Sequence, residues 1–178
     1  MKQKYSSKNT LVNIKQLPMI YNKLNLEKIK GKIIFDYGAG NIKTVNMIRM
    51  LLEPYDIEYI PYDIYNLFPS DNCYALERID EADIYICSNL LNVIEEDKIC
   101  QNIINKILLN TTGNKSFFFK VYEGDKSNIG KQTKTDCYQR NMITKEYLWY
   151  FNWKLSLYEP LIYKNIITNI IGKEFLRW

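Results

Sequence analysis

The chain is predicted to form one α/β domain, with a mostly parallel central sheet covered by helices on both faces in three layers. Three observations support this. Short apolar runs of strand length (KIIFD, DIYICS, SFFFKVY) alternate with longer segments of helical periodicity. Such alternation favours parallel strands joined by crossover helices. The polar segments DYGAGN, YDIYN, SNLLN and YEGDKS each follow an expected strand. In sheets of this kind, ligands bind beyond the carboxyl ends of the strands.

Taken in order, residues 1–30 read as a polar tail and one or two helical segments. The stripe Leu11, Ile14, Leu17, Tyr21, Leu24 is broken at Pro18. We expect this part to be an N-terminal helical extension or lid, and residues 31–178 to be the main domain. Lys32–Asp36 is a short buried strand between Gly31 and a glycine turn. Asn41–Glu53 is a helix whose inner face carries Val45, Ile48, Leu51 and Leu52, and Pro54 stops it. Asp56–Tyr62 is a second strand. PYDIYNLFPSDN reads as a loop, and Cys73–Arg78 as a brief strand or turn.

Asp83–Ser88 is the next buried strand. A helix follows from about Glu95 to Leu109, with Glu95, Glu96 and Asp97 near the positive end of its dipole and Ile99, Ile103, Ile104 and Ile107 facing inward. Thr111–Asn114 is a turn, and Ser116–Tyr122 another buried strand. EGDKSNIGKQTKTDCYQRN reads as a long polar loop. Thr144–Trp153 looks helical, and Leu161–Ile171 like one or two strands. No repeat or linker divides the 178 residues.

Composition narrows the chemistry. Apolar residues make up 47% and the net charge is +4, which neither demands nor excludes an acidic partner. Abundant Asn, Ile, Lys and Tyr fit an AT-rich genome, such as that of a low-GC bacterium or its phage. No apolar run is long enough for a membrane span, and none follows the basic start MKQKYSSKNT. Cys73, Cys87, Cys100 and Cys137 are scattered without metal-ligand spacing, as in a reducing cytosol. We therefore expect a cytoplasmic protein with no membrane and no metal. There is no histidine, which removes every Ser-His or Cys-His dyad and the commonest general base.

The stretch IIFDYGAGN holds the first candidate site. Gly38 and Gly40 let the backbone turn sharply and approach a ligand closely. A dinucleotide loop would have a third glycine where Lys43 stands, and Asp36 would repel a phosphate. The loop therefore suits a zwitterionic or cationic ligand. Asp63, a little over twenty residues further on, sits where a carboxylate can meet ribose hydroxyls. The aromatic patch Trp149, Tyr150, Phe151, Trp153 reads as core or a partner surface.

Together, DYGAG, YIPYD and ADIYICSNLLNVIEE resemble the class I S-adenosylmethionine-dependent methyltransferases, over roughly Lys32–Tyr122. The resemblance implies a Rossmann-like fold, shortened here between the second and fourth strands, and S-adenosylmethionine as cofactor. It places Asp36, Gly38, Gly40 and Asn41 at the methionine end, Asp63 at the ribose, and Ser88 and Asn89 beside the methyl donor. The acid that reads the adenine in that family follows the third strand; Asp80 and Glu81 are the candidates. S-N-L-L (Ser88–Leu91) replaces the family's proline- and aromatic-bearing motif for amino groups of DNA bases.

With an activated methyl donor, positioning supplies much of the rate. The bases available without histidine are Tyr122, Glu123 and Asp125. Lys126, Lys131 and Arg140 are the expected substrate contacts in the polar segment that follows. The acceptor stays open: small molecule, nucleic acid or protein. Two alternatives stand beside methyl transfer. One is an inactive methyltransferase-fold binder, such as a phage inhibitor of a host protein. The other is an enzyme that degrades S-adenosylmethionine.

Overall fold

The computed structural model describes residues 17–111, 113–134, 137–151 and 160–177. Its centre is a six-stranded sheet built from β1 (Ile33–Tyr37), β2 (Glu58–Tyr62), β3 (Ile84–Ser88), β4 (Ser116–Lys120), β7 (Leu161–Tyr163) and β8 (Ile166–Thr168), in the order β2-β1-β3-β4-β8-β7. The first four strands run parallel. β8 is antiparallel to both β4 and β7. β5 (Lys131–Lys134) and β6 (Cys137–Gln139) form a separate antiparallel pair.

Strands buried on both sides carry continuous apolar runs. In β4 every residue of SFFFK is buried. One face packs Phe35, Tyr85, Phe117 and Phe119 against α2 (Pro69–Glu77), α3 (Asp97–Leu109) and a 3-10 helix at Thr144–Phe151. The other packs Ile34, Ile86 and Phe118 against α1 (Ile42–Leu52) and the segment before β1, through Ile20, Tyr21, Leu24 and Ile29. Leu24 also bridges to Leu176, just beyond the last short helix, α4 (Ile170–Glu174). These are the expected three layers. Ile20, Tyr21, Leu24, Leu26 and Ile29 are core; Leu11 and Ile14 lie outside the described residues.

Asn41 caps α1, its Oδ1 accepting from the backbone N–H of Lys43 and Thr44 at 3.0 and 3.1 Å. Thr44, Val45, Ile48 and Leu52 form its buried face, with Leu51 partly covered. In α3 the buried stripe is Cys100, Ile103, Ile104, Ile107 and Leu108, with Ile99 at its margin.

Two sequence expectations need correction. Cys73–Arg78 is not a strand. It belongs to α2 and its end, opened by Pro69, whose fixed φ suits a first helical turn. The chain thus runs from β2 through α2 directly into β3. The polar stretch after β4 is not one loop, since Lys131–Gln139 includes the β5–β6 hairpin. Leu161–Ile171 holds the β7–β8 hairpin and the start of α4. The expected helix at Thr144–Trp153 is a 3-10 helix to Phe151; Trp153 lies outside the described residues. Tyr150 and Phe151 are core, while Trp149 stacks on Tyr150 at 3.8 Å and is 44% exposed.

Candidate functional site

The sheet order creates a topological switch point between β1 and β3. The connection β1–α1–β2 leads one way along the sheet, and β3–α3–β4 leads the other. A crevice opens at the carboxyl ends of the two central strands in such an arrangement. Its walls are the loop Gly38–Asn41 and the loop that starts at Asn89.

Gly38 and Gly40 have φ of +87° and +82°, a conformation costly for any residue with a Cβ. The turn is pinned to β2: Gly38 and Ala39 donate their N–H groups to the Tyr62 carbonyl at 2.7 and 3.1 Å. Gly40 N–H donates to Asp63 Oδ2 at 3.0 Å. A Cβ on Gly40 would meet nothing within 4 Å, so the backbone there is open to a ligand. On Gly38 it would stand 2.9 Å from Leu90 Cδ2.

Asp63 is buried and well held. Its Oδ1 accepts from Tyr65 N–H and from the backbone and side chain of Asn66, at 2.9 to 3.0 Å. Its own backbone exchanges bonds with the Asn72 side chain. Oδ2, with one bond from Gly40, keeps acceptor capacity. Asp63 borders a cavity of about 100 Å³ together with Tyr37, Gly38, Tyr65, Leu90 and Ile103. A hollow of about 480 Å³ lies along Arg49, Met50, Glu58 and Tyr59, on the outer side of β2 and the end of α1. It is larger, but no strand-end loop reaches it, so the switch point is the better site.

Asp36 is buried on the α1 face. Tyr21 and Tyr59 donate their hydroxyls to its Oδ2 at 2.7 and 2.8 Å. Oδ1 has no partner. Burial raises its carboxyl to about 6, against the lowering effect of the two tyrosines. Ser88 ends β3 with its Oγ buried and unpartnered, as is Thr44 Oγ1 in the first turn of α1. Asn89 follows at φ 57° and donates its N–H to the Lys120 carbonyl.

The charged residues after β4 fall differently from expectation. Arg140 is buried, and its guanidinium is spent inside the protein. It donates to the carbonyls of Ile94 and Glu95, to the Tyr150 hydroxyl and to Asp97 Oδ1. Expected as a substrate contact, it is engaged with these internal partners. Lys126 pairs with Glu123 at 3.1 Å, and Lys131 with Asp125 at 2.8 Å. The mixed charges thus satisfy one another within the segment. Glu123 Oε1 accepts from the backbone and hydroxyl of Thr144, which holds its carboxyl below the usual range. Asp125 is held down to about 2 by Lys131 and Ser127. Carboxylates that weakly basic are poor proton acceptors. Tyr122 stands apart: its backbone is tied to Asn92 and Gln139, and its ring is 58% exposed at the end of β4.

Four residues escaped the sequence reading. Tyr21 and Tyr59 hold Asp36, Leu90 covers Gly38, and Lys120 lies on β4. Lys120 is 7% exposed, and no hydrogen bond or ion pair holds its Nζ among the described residues. Burial lowers its pKa, partly offset by the charge of Glu123. A lysine inside an apolar strand was the available signal. Asp80 and Glu81 follow α2 rather than a third strand. Glu81 pairs with Arg78, away from the crevice.

The residues present fit the adenosine and amino-acid parts of S-adenosylmethionine in chemistry. There is an apolar slot bordered by Asp63, an open glycine backbone, and an orphaned carboxylate oxygen on Asp36. They fit less well in volume, since sites for ligands of that size hold about 300–1,000 Å³. Leu90, a flexible side chain, makes the narrowest contact. Among the described residues, no group of His, Cys, Asp and Glu could hold a metal ion, and no helix is long and apolar enough to cross a membrane.

The fold is that of the Rossmann-like methyltransferases, a mixed α/β sandwich with a six-stranded, mostly parallel sheet. A crystal structure of the 1,6-didemethyltoxoflavin-N1-methyltransferase of Burkholderia thailandensis, with bound 1,6-didemethyltoxoflavin and S-adenosylhomocysteine, superposes with a TM-score of 0.54 over 84% of this chain and 80% of that one. The two sequences are 10% identical over the match, so the likeness speaks for the fold. No family model matches the chain, and no curated protein matches it.

Proposed function

We propose that the chain is an S-adenosylmethionine-dependent methyltransferase whose cofactor lies across the switch-point crevice. One observation carries this reading: the positive-φ glycine turn and the buried Asp63, which accepts from Gly40 N–H, meet at the carboxyl end of β1 and β2, with the unpartnered Asp36 Oδ1 on the α1 face just before the turn. The group bound there supplies an activated methyl on a sulfonium. Asp36, when ionised, offers Oδ1 to an ammonium. Asp63 Oδ2 offers its remaining acceptor capacity to ribose hydroxyls. Ile99, Ile103 and Val93 exclude water from the ring end.

Positioning is the main catalytic device, because the crevice holds no strong base. Glu123 and Asp125 are too acidic to take a proton readily near neutral pH, so Tyr122 is the residue placed to orient an acceptor. An acceptor that loses its proton easily suits this site best. Calorimetric titration with S-adenosylhomocysteine tests the reading, with Asp36→Ala and Asp63→Ala as variants. Saturable binding weakened by both supports it. Undiminished binding in both variants contradicts the placement.

Leu90 favours a second reading. Its side chain lies on Gly38 and leaves a cavity of about 100 Å³. A crevice permanently filled in this way suits a non-catalytic protein that keeps the fold to bind a partner. Retained binding by wild type excludes that reading; binding by Leu90→Ala alone supports it.

A further inference from the structure

We propose that the two ends of the chain build a basic face that binds the phosphate backbone of a nucleic acid, at the edge of the sheet opposite the crevice. This goes beyond the cofactor reading and does not depend on it.

Charge is segregated along the sequence. Residues 1–32 hold eight lysines and one acid, and residues 170–178 two cations and one acid. The stretch between them is acidic, with 18 carboxylates against 14 cations. The net charge of +4 is therefore the balance of two basic ends and an acidic body. Asymmetry of this kind points to a polyanionic partner.

The fold joins the two ends. Leu24 and Leu176 form an antiparallel bridge. Beside it, Asn25 N–H donates to the Phe175 carbonyl and Arg177 N–H to the Lys23 carbonyl, both at 2.6 Å. Lys28 Nζ donates to the Glu174 carbonyl at 3.4 Å. Ile29 is fully buried, while Lys28 and Lys30 on either side of it are exposed, as are Lys173 and Arg177. Lys23, Lys28, Lys30, Lys173 and Arg177 thus gather around one junction, with Glu27 and Glu174 as the acids among them. Asp56 marks the margin, next to the Tyr55 carbonyl that accepts from Gly31 N–H. β1 starts just after this segment, and Asn169, the cap of α4, bonds the Lys115 carbonyl just before β4. The junction therefore lies toward the amino ends of the parallel strands, and the crevice at their carboxyl ends.

Elsewhere the cations are matched. Arg78, Lys126, Lys131 and Arg140 each hold a carboxylate, and Lys32 holds Asp83. Lys23, Lys28, Lys30 and Arg177 take part in no ion pair among the described residues. Like charges gathered in this way repel one another, and a row of phosphates relieves that repulsion while releasing its own counterions. A membrane suits the face less well, because surface binding to lipid needs apolar side chains to insert. Ile20, Leu24, Leu26, Ile29 and Leu176 are at most 3% exposed, which leaves Met19. Cations that meet phosphates carry no sequence information, so binding is independent of base sequence.

Fluorescence anisotropy with a labelled single-stranded RNA of about 20 nucleotides, and with a DNA duplex of the same length, tests the face. Wild type is expected to bind whatever the base sequence. Its affinity for the RNA should fall about 100-fold between 50 and 200 mM salt, as four or five phosphates release counterions. The relative affinity of the two probes tells RNA from DNA as the partner. The double variant Lys28→Glu, Lys30→Glu should bind about 10-fold more weakly or worse at 50 mM salt, with a flatter salt dependence and an unchanged melting temperature. Lys98→Glu, Lys145→Glu makes the same change of charge at two exposed lysines on the α3 side and should have a much smaller effect. Equal losses in the two double variants, or no binding of either probe by wild type at 50 mM salt, overturn the proposal. Binding to phosphatidylserine vesicles without binding to RNA or DNA overturns it as well.

Discussion

Leu90 lies over Gly38 so closely that a Cβ on the glycine would stand 2.9 Å from Leu90 Cδ2. That contact narrows the crevice where β1 and β3 diverge. Leu90→Ala should enlarge the cavity and tighten S-adenosylhomocysteine binding, because the variant no longer moves a side chain to admit it. Calorimetry on the two proteins checks this. Weaker binding by the variant would make Leu90 a ligand contact instead.

Asp36 gives a pH signature. Burial raises its carboxyl from 3.8 to about 6 in the folded chain. A raised folded-state value stabilises the protein at low pH and is lost as pH climbs through about 6. Asp36→Asn removes that loss while its amide oxygen can still accept from Tyr21 and Tyr59. Relative to wild type, the variant should gain about 2 kcal/mol between pH 4 and pH 7.5. Urea unfolding at the two values measures the difference; the same gap at both would exclude ionisation of Asp36 as its source.

The same ionisation acts on the ligand with the opposite sense. An ammonium is held by the carboxylate and not by the neutral acid. Affinity for S-adenosylhomocysteine should rise from pH 5 to pH 7.5 in wild type and stay level in Asp36→Asn. Titrations at the two pH values test this, with 5′-methylthioadenosine, which keeps the nucleoside thioether and lacks the amino acid, as the ligand that should show no change.

Arg140 is a structural group. Removing it takes a donor from the Ile94 and Glu95 carbonyls, while Asp97 keeps Tyr150 and water. Arg140→Met should cost about 2 kcal/mol of stability, from the carbonyls left without a donor, measured by denaturant unfolding, with little effect on ligand affinity in the protein that remains folded. Asp125→Asn, at an exposed ion pair, should change neither stability nor binding measurably.

The strongest patterns in the sequence became the central elements. β1, β3, β4 and α3 are apolar runs or stripes, and burial is what such patterns encode. α2 was not legible because it buries only Asn72 and Ala75 and leaves Tyr74 at the surface. Without an apolar stripe, PSDN looks like a loop and Cys73–Arg78 like a brief strand or turn, and Pro69 reads as a breaker rather than a helix start. The β5–β6 hairpin was hidden for a related reason: KQTK is polar throughout. At the site, DYGAG and Asp63 could be read because glycine spacing and a strand-end acid leave a local signature. The Leu90 contact and the inward turn of Arg140 depend on tertiary packing, which no local pattern reports. Lys120 did leave a mark, as a single charge at the end of SFFFK.

The most direct test of the central claim is a calorimetric titration of S-adenosylhomocysteine into the wild-type protein. The account predicts saturable binding at one site per chain, weakened by Asp63→Ala. No heat and no thermal shift at millimolar ligand would contradict it.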